Sequence, residues 1–322
     1  MKETDELLNK IKASKAISKK TPRDVANKAI TVGIPTGLIE LDYRIGGFRE
    51  GWYIVLTGST GHGKTTLTRE LVVSAAARKH KVFYFVGEES LETETRNMAR
   101  IGAAPDEVEV IPGLAGRKYY RPTEARYKKF QNALGDWITF ISYYDIVNII
   151  EEMQGMNVET IVDMNIAEAL RDGVRFFVLD NLSKLIEQDG NKVFDAQRRI
   201  IRKIQRLCRK YNATVLLVTH PNKRGDAVGG ISEIINHADC VLQIKRLLEE
   251  DNRSRYFSQF PSTVAEKASG VLSIVKAREE GMLGKIPLMW DPERGALLNV
   301  TTMEGAMQYE LDGWWTHSVA PF

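Results

Sequence analysis

The segment GSTGHGKTT at residues 58–66 constrains the fold more than any other part of the sequence. It follows the apolar run Trp52–Thr57 and opens into a helix-forming segment that begins at Lys64. Its spacing fits G-x-x-x-x-G-K-[ST], in which glycines let the backbone curl around phosphates, the lysine reaches the β- and γ-phosphate oxygens, and the threonine hydroxyl ligates Mg²⁺. With a strand before it and a helix after it, this segment predicts a P-loop in an α/β fold rather than an ordinary glycine-rich turn.

The ligand that such a loop predicts is Mg²⁺ with ATP or with another NTP or dNTP. Every residue of the loop is expected to take part in nucleotide binding: Gly58, Ser59, Thr60, Gly61, His62, Gly63, Lys64, Thr65 and Thr66. Lys64 is also a candidate catalytic residue, because its charge faces the transferred phosphate, and Thr65 is a candidate metal ligand.

Composition limits the remaining alternatives. The 322 residues include 45 Lys and Arg against 42 Asp and Glu, a formal net charge of +3, so nucleic acid binding would have to come from local basic patches. The sequence has no signal peptide and no apolar run of about 18 residues, which predicts no membrane association and favours a cytoplasmic location, that of a bacterial host if the protein is viral. Cys208 and Cys240 lie in apolar segments without a C-x-x-C pattern and are predicted to be buried thiols.

Acidic residues follow two further apolar strands. The strand Lys81–Val86 is followed by Glu88 and Glu89, and the run Val174–Asn181 carries Asp180 near its end. Because α/β sheets bind ligands at the carboxyl ends of their strands, one of the two glutamates is a candidate base for activating water. The residues alone leave open which one it is, and also that both are solvated helix-capping acids. Asp180 fits a Walker B acid, which would hold Mg²⁺.

A histidine ends another apolar strand. His220 follows the strand Ala213–Thr219 and precedes the basic residues Lys223 and Arg224. If this strand lies beside the Walker B strand, the imidazole can hydrogen-bond the γ-phosphate; the alternative is a strand-end histidine with a purely structural role. The long basic helix before it, at about residues 193–211, is predicted to present its cations to the outer surface or to a neighbouring subunit.

Two other regions have weaker patterns. Residues 103–173 are predicted to form helices with one short strand, and the tyrosine-rich basic segment at residues 116–129 is predicted to be a solvated helix face rather than a nucleic acid site. After a strand that ends at Arg246, a polar connection leads to a β-hairpin at residues 271–295. Lys276 and Arg278 are expected near the tip of this hairpin, and Trp290 on its return strand.

Three regions are expected along the chain: an N-terminal arm at residues 1–30, a main domain at residues 31–300 and a tail at residues 301–322. The arm has a narrow apolar face. It is either a frayed terminus or a helix that packs against a neighbouring subunit.

The order of these motifs resembles a known family. A P-loop, a strand-end glutamate, a Walker B aspartate, a strand-end histidine with a basic loop and a K-x-R hairpin follow one another as in the RecA-like motor domain of the hexameric DnaB-type replicative helicases. The resemblance is greatest to the helicase half of the phage primase-helicases and to the mitochondrial Twinkle helicase, whose sensor strand the THPNK segment resembles. It extends over about residues 30–298 and implies a RecA-like P-loop NTPase core: a mainly parallel, twisted sheet with helices on both faces.

The resemblance also implies roles for single residues. Glu88 would be the catalytic base and His220 the γ-phosphate sensor, while Arg278, with Lys276, would reach the nucleotide of the neighbouring subunit as an arginine finger. The other implied roles are a clamp on the nucleotide base by Arg246 and Trp290, and DNA contacts by Lys192, Lys223 and Arg224 in loops around residues 189–192 and 222–230.

The function implied is NTP-dependent translocation on single-stranded DNA and unwinding of duplex DNA by a homo-oligomeric ring, expected to be a hexamer. No primase domain or zinc-binding cysteines are expected before the motor, so a primase, like a polymerase, would be a separate partner chain. Two alternatives stay open: a RecA- or RadA-type recombination ATPase that forms filaments, and a KaiC-like regulatory ATPase without a nucleic acid partner.

Overall fold

Runs of β-branched and aromatic residues form the centre of the sheet. The computed structural model describes residues 32–152, 156–186, 193–220, 232–251, 253–260, 262–279 and 281–300. The strand before the P-loop, β1 (Tyr53–Thr57), is buried over its whole length, as are β2 (Val82–Val86) and β6 (Phe176–Asp180). Strands that are apolar on both faces need cover on both faces, which is typical of a parallel sheet.

Nine strands form the main sheet. Besides β1, β2 and β6 they are β5 (Ile138–Ser142), β7 (Thr214–Thr219), β8 (Cys240–Arg246), β9 (Gly270–Ala277), β10 (Gly284–Asp291) and β11 (Ala296–Asn299). Their order across the sheet is β11-β10-β9-β8-β1-β7-β6-β2-β5. Neighbours from β8 to β5 are parallel, whereas β9, β10 and β11 pair antiparallel at one edge. The predicted mainly parallel sheet is confirmed.

Helices cover both faces of this sheet, as predicted. Ile54 and Leu56 of β1 belong to one buried cluster, whereas Tyr53 and Val55 belong to a second cluster on the opposite face. The helices of the first face are α1 (Ile39–Ile45), α2 (Lys64–Ala77), α3 (Leu91–Arg100) and α4 (Glu124–Leu134). Those of the second face are α5 (Tyr143–Glu152), α6 (Val158–Arg171), α7 (Leu182–Ile186), α8 (Val193–Tyr211) and α9 (Ser232–His237).

The register of the parallel strands decides which strand ends meet. Thr57, the last residue of β1, pairs with Thr219 of β7, and Val86 of β2 pairs with Asp180 of β6. Four strands therefore end at the same edge of the sheet. The P-loop, Glu88, Asp180 and His220 all follow or close these four strands.

The prediction for residues 103–173 was wrong in one respect. The antiparallel strands β3 (Val108–Pro112) and β4 (Lys118–Pro122) form a separate two-stranded sheet there. Consequently residues 116–129 are not one helix face, because they contain β4 and the beginning of α4. Most residues of both strands are exposed or half-buried, so no apolar alternation marked them in the sequence. The buried Arg126 fixes α4 by donating hydrogen bonds of 2.8 Å to the carbonyl oxygens of Ala99 and Ile101.

The connection between β8 and β9 also has more structure than predicted. It contains two short helices, α10 (Arg253–Phe257) and α11 (Ser262–Lys267), which bury Phe257 and Val264. Cys208 and Cys240 are buried free thiols, as expected. None of the helices that the structure describes is long and apolar enough to cross a membrane.

Candidate active site

The loop between β1 and α2 has the backbone that its glycines predict. A Cβ atom at Gly58 would collide with the carbonyl oxygen of Ile244, and Gly63 has a φ of 93°, which favours glycine. The Lys64 ammonium donates hydrogen bonds to the carbonyl oxygens of Gly58 at 2.7 Å and Ser59 at 3.1 Å. Burial lowers the pKa of Lys64, whereas the charges of Asp180 and Glu88 act in the opposite direction.

Asp180 and Thr65 lie together beside the loop. The Asp180 carboxyl is hydrogen-bonded to the Thr65 side chain, while its Oδ2 atom is buried and has no hydrogen-bond partner. Burial raises the pKa of Asp180 to about 7, Glu94 and Glu88 act in the same direction, and the Thr65 hydrogen bond and Lys64 oppose the shift. An unpaired carboxylate oxygen next to a hydroxyl suits a hard cation that also binds phosphate oxygens. Asp180 and Thr65 therefore fit the Mg²⁺ site predicted for them.

The structure separates the two candidate glutamates. The Oε1 atom of Glu88 accepts a hydrogen bond of 2.5 Å from the Asn181 side-chain amide and lies 3.7 Å from Nε2 of His220. Glu89 instead pairs with Arg69 at 3.3 Å. Of the two, only Glu88 contacts the residues that end the neighbouring strands. It is therefore the better placed of the two to act on a nucleotide held by the P-loop.

His220 lies between the P-loop strand and the Walker B strand, because β7 is the strand between β1 and β6. This is the neighbourhood predicted for a γ-phosphate sensor. Burial lowers the pKa of His220, the Lys64 charge acts in the same direction, and Glu88 opposes both. The imidazole is therefore mainly neutral at pH 7 and has one N–H to donate.

A cavity of about 290 Å³ adjoins the P-loop. It contains both residues of the predicted base clamp, Arg246 at the end of β8 and Trp290 on β10. The other lining residues are Gly61, His62, Gly63, Thr66, Ile244, Lys245, Ser269, Gly270 and Leu297. Ile244, Trp290 and Leu297 contribute apolar surface to the cavity, which lies next to the P-loop, so its lining and position suit the base of a bound nucleotide.

Replacing Trp290 by Ala is expected to raise the Kd of nucleotide by about 5- to 150-fold, because stacking of a base on an aromatic ring contributes about 1–3 kcal/mol. Titration with a fluorescent nucleotide analogue would measure this change. Trp290→Phe is the matched control, since it keeps an aromatic face and should bind nearly as well as the unchanged protein. Equal losses in the two variants, or none in Trp290→Ala, would contradict the clamp.

The two finger candidates lie elsewhere. Arg278 forms an ion pair of 2.8 Å with Asp239, and the Lys276 ammonium donates to the carbonyl oxygens of Ile235 at 2.9 Å and Asn236 at 3.0 Å. Lys276 pairs with Val241 near the beginning of β8, so both cations lie at the amino-terminal edge of the parallel strands. The P-loop follows the carboxyl end of β1. Since β1 has five residues, each rising about 3.3 Å, the two edges are about 17 Å apart.

Sequence comparison decides the family. Residues 28–226, well over half of the chain, match a family model described as an AAA domain. The chain belongs to this AAA domain family. No curated protein matches its sequence.

Two solved structures are similar to this AAA domain protein. One is an ATPase domain that is 16% identical, with a TM-score of 0.59, and the alignment covers 92% of this chain and 98% of that chain. The other is the KaiC-like protein PH0186 from the archaeon Pyrococcus horikoshii OT3, which is 17% identical, with a TM-score of 0.55, and the alignment covers 86% of this chain and 100% of that chain. At these identities the likeness concerns the fold. The AAA domain protein thus has a RecA-like P-loop ATPase fold and is an NTP hydrolase of the AAA type.

The site of the AAA domain protein includes one contact that the sequence did not predict, between Asn181 and Glu88. The sequence feature that could have indicated this contact is the polar Asn181 directly after Asp180, at the end of the Walker B strand. Several residues and segments with predicted roles lie outside the described residues: Lys192, Lys223 and Arg224, both predicted DNA loops, the arm at residues 1–30 and the tail at residues 301–322.

Proposed function

We propose that this AAA domain ATPase is an NTP-driven replicative helicase motor that moves along single-stranded DNA and unwinds duplex DNA as a homo-oligomeric ring. The observation that carries the proposal is the position of Arg278. Its guanidinium is half-exposed and lies about 17 Å of strand length from the P-loop of its own chain. An arginine finger at this position acts only on the nucleotide of a neighbouring subunit, so the complete catalytic site requires at least two copies of the chain.

The chemistry proposed for this site is hydrolysis of the bond to the γ-phosphate. Glu88 accepts a proton from the attacking water, and the freed electron pair forms the new bond to phosphorus while the bond to the leaving diphosphate breaks. Lys64 balances charge on the phosphate oxygens. Thr65 and Asp180 would hold Mg²⁺, which supplies further positive charge to the phosphates when bound. The neutral His220 donates its N–H to the γ-phosphate.

His220 also connects hydrolysis to DNA in this proposal. It contacts Glu88 on one side, and the chain continues from it into the segment that carries Lys223 and Arg224. Presence or loss of the γ-phosphate would change the partner of the imidazole, and this change would reach the DNA-binding segment within a few residues. Contacts of Lys223, Arg224 and Lys192 with DNA phosphates remain predictions from the sequence.

The DNA contacts can be tested by salt dependence. A variant with Lys223→Ala and Arg224→Ala should bind single-stranded DNA more weakly whatever its sequence, and the slope of log K against log salt should fall by up to about two units. Arg209→Ala with Lys210→Ala, two exposed cations at the end of α8, is the matched control and should keep the full slope. If the control loses the slope and the loop variant keeps it, DNA binds to the outer helix.

Assembly and DNA stimulation separate the proposed function from its two alternatives. If the protein is a helicase, we expect rings in negative-stain electron microscopy and an NTPase activity that increases when single-stranded DNA is added. Filaments on DNA would favour the recombination ATPase. Rings whose NTPase activity is the same with and without DNA would favour a regulatory ATPase without a nucleic acid partner.

A further inference from the structure

Asn181 is a buried polar residue whose side-chain amide forms hydrogen bonds through both its nitrogen and its oxygen. It directly follows Asp180 and is only 1% exposed. Its amide nitrogen donates to Oε1 of Glu88 at 2.5 Å. Its amide oxygen accepts hydrogen bonds from the Ser183 hydroxyl and from the backbone N–H of Lys184 at 3.3 Å.

The contacts of the amide oxygen fix the direction of the amide nitrogen. Both donors to this oxygen belong to α7, the short helix that begins at Leu182. A flipped amide would point an N–H group at the backbone N–H of Lys184 and its oxygen at the Glu88 carboxylate, so it would lose both of these hydrogen bonds. The amide nitrogen of Asn181 therefore faces Glu88, and the start of α7 keeps it there.

Glu88 depends on such a contact for its own orientation. Its side chain is 54% exposed, so packing does not restrict its rotamers. A free glutamate side chain has several rotamers, and fixing one of them costs conformational entropy. The described neighbours of Oε1 are the Asn181 amide at 2.5 Å and His220 at 3.7 Å, of which only the first is within hydrogen-bond distance.

We propose that Asn181 is a positioning residue for NTP hydrolysis, which holds one oxygen of the Glu88 carboxylate so that the other oxygen faces the attacking water. This inference rests on the proposed role of Glu88 as the base. It adds the residue that follows the Walker B strand to the hydrolytic machinery and gives it a role in turnover, not in nucleotide binding. Misplacing a catalytic group by about 1 Å can lower a rate by about a hundredfold, so loss of the amide donor should be visible in kcat.

Asn181→Asp is the most direct test, because the new side chain has nearly the same shape. It keeps an oxygen for Ser183 and Lys184 and replaces the donor to Glu88 by a second carboxylate oxygen. We expect kcat to fall by about 10- to 100-fold while the Kd of nucleotide changes by less than about threefold. Ser183→Ala should cause a smaller loss of kcat, because it removes one hydrogen bond that orients the Asn181 amide but keeps the amide N–H that donates to Glu88. A melting curve checks that each variant is folded. If Asn181→Asp does not fold, kcat and the Kd of nucleotide are compared for Ser183→Ala instead.

A double-variant comparison distinguishes positioning from a merely structural role. Single-turnover rates would be measured for Asn181→Asp, for Glu88→Gln and for the combined variant. If Asn181 acts through Glu88, adding Asn181→Asp to Glu88→Gln should cause almost no further loss. An equal further loss in the Glu88→Gln background, or an unchanged kcat in Asn181→Asp alone, would overturn the inference. Normal turnover by Glu88→Gln would instead remove the base from the proposed function, so the two failures are distinguishable.

Discussion

Glu88→Gln should bind nucleotide as tightly as the unchanged protein and lose NTP turnover by about 10² to 10⁴-fold, the usual contribution of general base catalysis. The amide that replaces the carboxylate can still hydrogen-bond water but cannot accept its proton. Steady-state kcat and a nucleotide titration under the same conditions would measure the two effects separately. The neighbouring substitution Glu89→Gln is the matched control, since it makes the same chemical change one residue away.

The surroundings of Glu89 explain why its loss should matter little. Arg69, its partner at 3.3 Å, also makes two hydrogen bonds to the buried Glu94, at 2.7 and 3.0 Å. Removing the Glu89 charge leaves Arg69 paired, so neither the fold nor the site should change much. A large loss of turnover in Glu89→Gln together with a small one in Glu88→Gln would mean that the base is the second glutamate.

Segments whose chemistry is contained in a few consecutive residues could be predicted from the sequence. The P-loop needs glycines and a lysine at fixed spacing, and a completely apolar strand followed by an acid predicts a ligand site at the carboxyl end of a parallel sheet. Such signals predicted a P-loop in an α/β fold and candidate residues at the ends of its strands, and their order along the chain carried the resemblance that implied a RecA-like sheet with helices on both faces. They required no knowledge of how distant segments pack.

The choice between Glu88 and Glu89 could not be made from the sequence. Consecutive side chains at the end of a strand point in different directions, and a shift of one residue exchanges them. The contacts in the folded protein, of Arg69 in α2 with Glu89 and of Asn181 with Glu88, show which glutamate is directed away from the site. Likewise, the contact of Asn181 with Glu88 joins residues 93 positions apart and depends on the pairing of β2 with β6.

The hairpin of β3 and β4 could not be predicted for a different reason. Its strands are largely solvent-exposed, so burial did not select an alternation of apolar and polar residues. The helix that follows it, α4, is held by Arg126, whose buried guanidinium donates hydrogen bonds to the backbone carbonyls of Ala99 in α3 and of Ile101. A basic residue in a basic segment gives no sign in the sequence that it is buried.

Arg278→Ala should reduce NTP turnover by about 10³ to 10⁵-fold, the effect of removing an arginine finger in other NTPases. The fold should survive, because the Arg278 side chain is about half-exposed and ion pairs of exposed side chains contribute about 1 kcal/mol or less. Asp239 also keeps its hydrogen bond from the backbone N–H of Tyr53 at 2.9 Å. Arg171→Ala is a suitable control, since Arg171 is an exposed arginine at the end of α6 and its loss should not affect turnover.

The direction in which Arg278 acts can be tested by mixing two inactive proteins. The Arg278→Ala subunit keeps an intact Glu88, and the Glu88→Gln subunit keeps an intact Arg278. In a mixed assembly, one of the two kinds of interface would therefore join an intact base to an intact finger from the neighbour. NTPase activity that neither parent shows should reappear after subunit exchange, and it should be greatest near equal amounts of the two variants. If Arg278 acted within its own chain, every site would stay defective at all mixing ratios. The distance of about 17 Å between the two edges of β1 argues against that outcome, and its occurrence would remove the reason for a catalytic site shared between subunits.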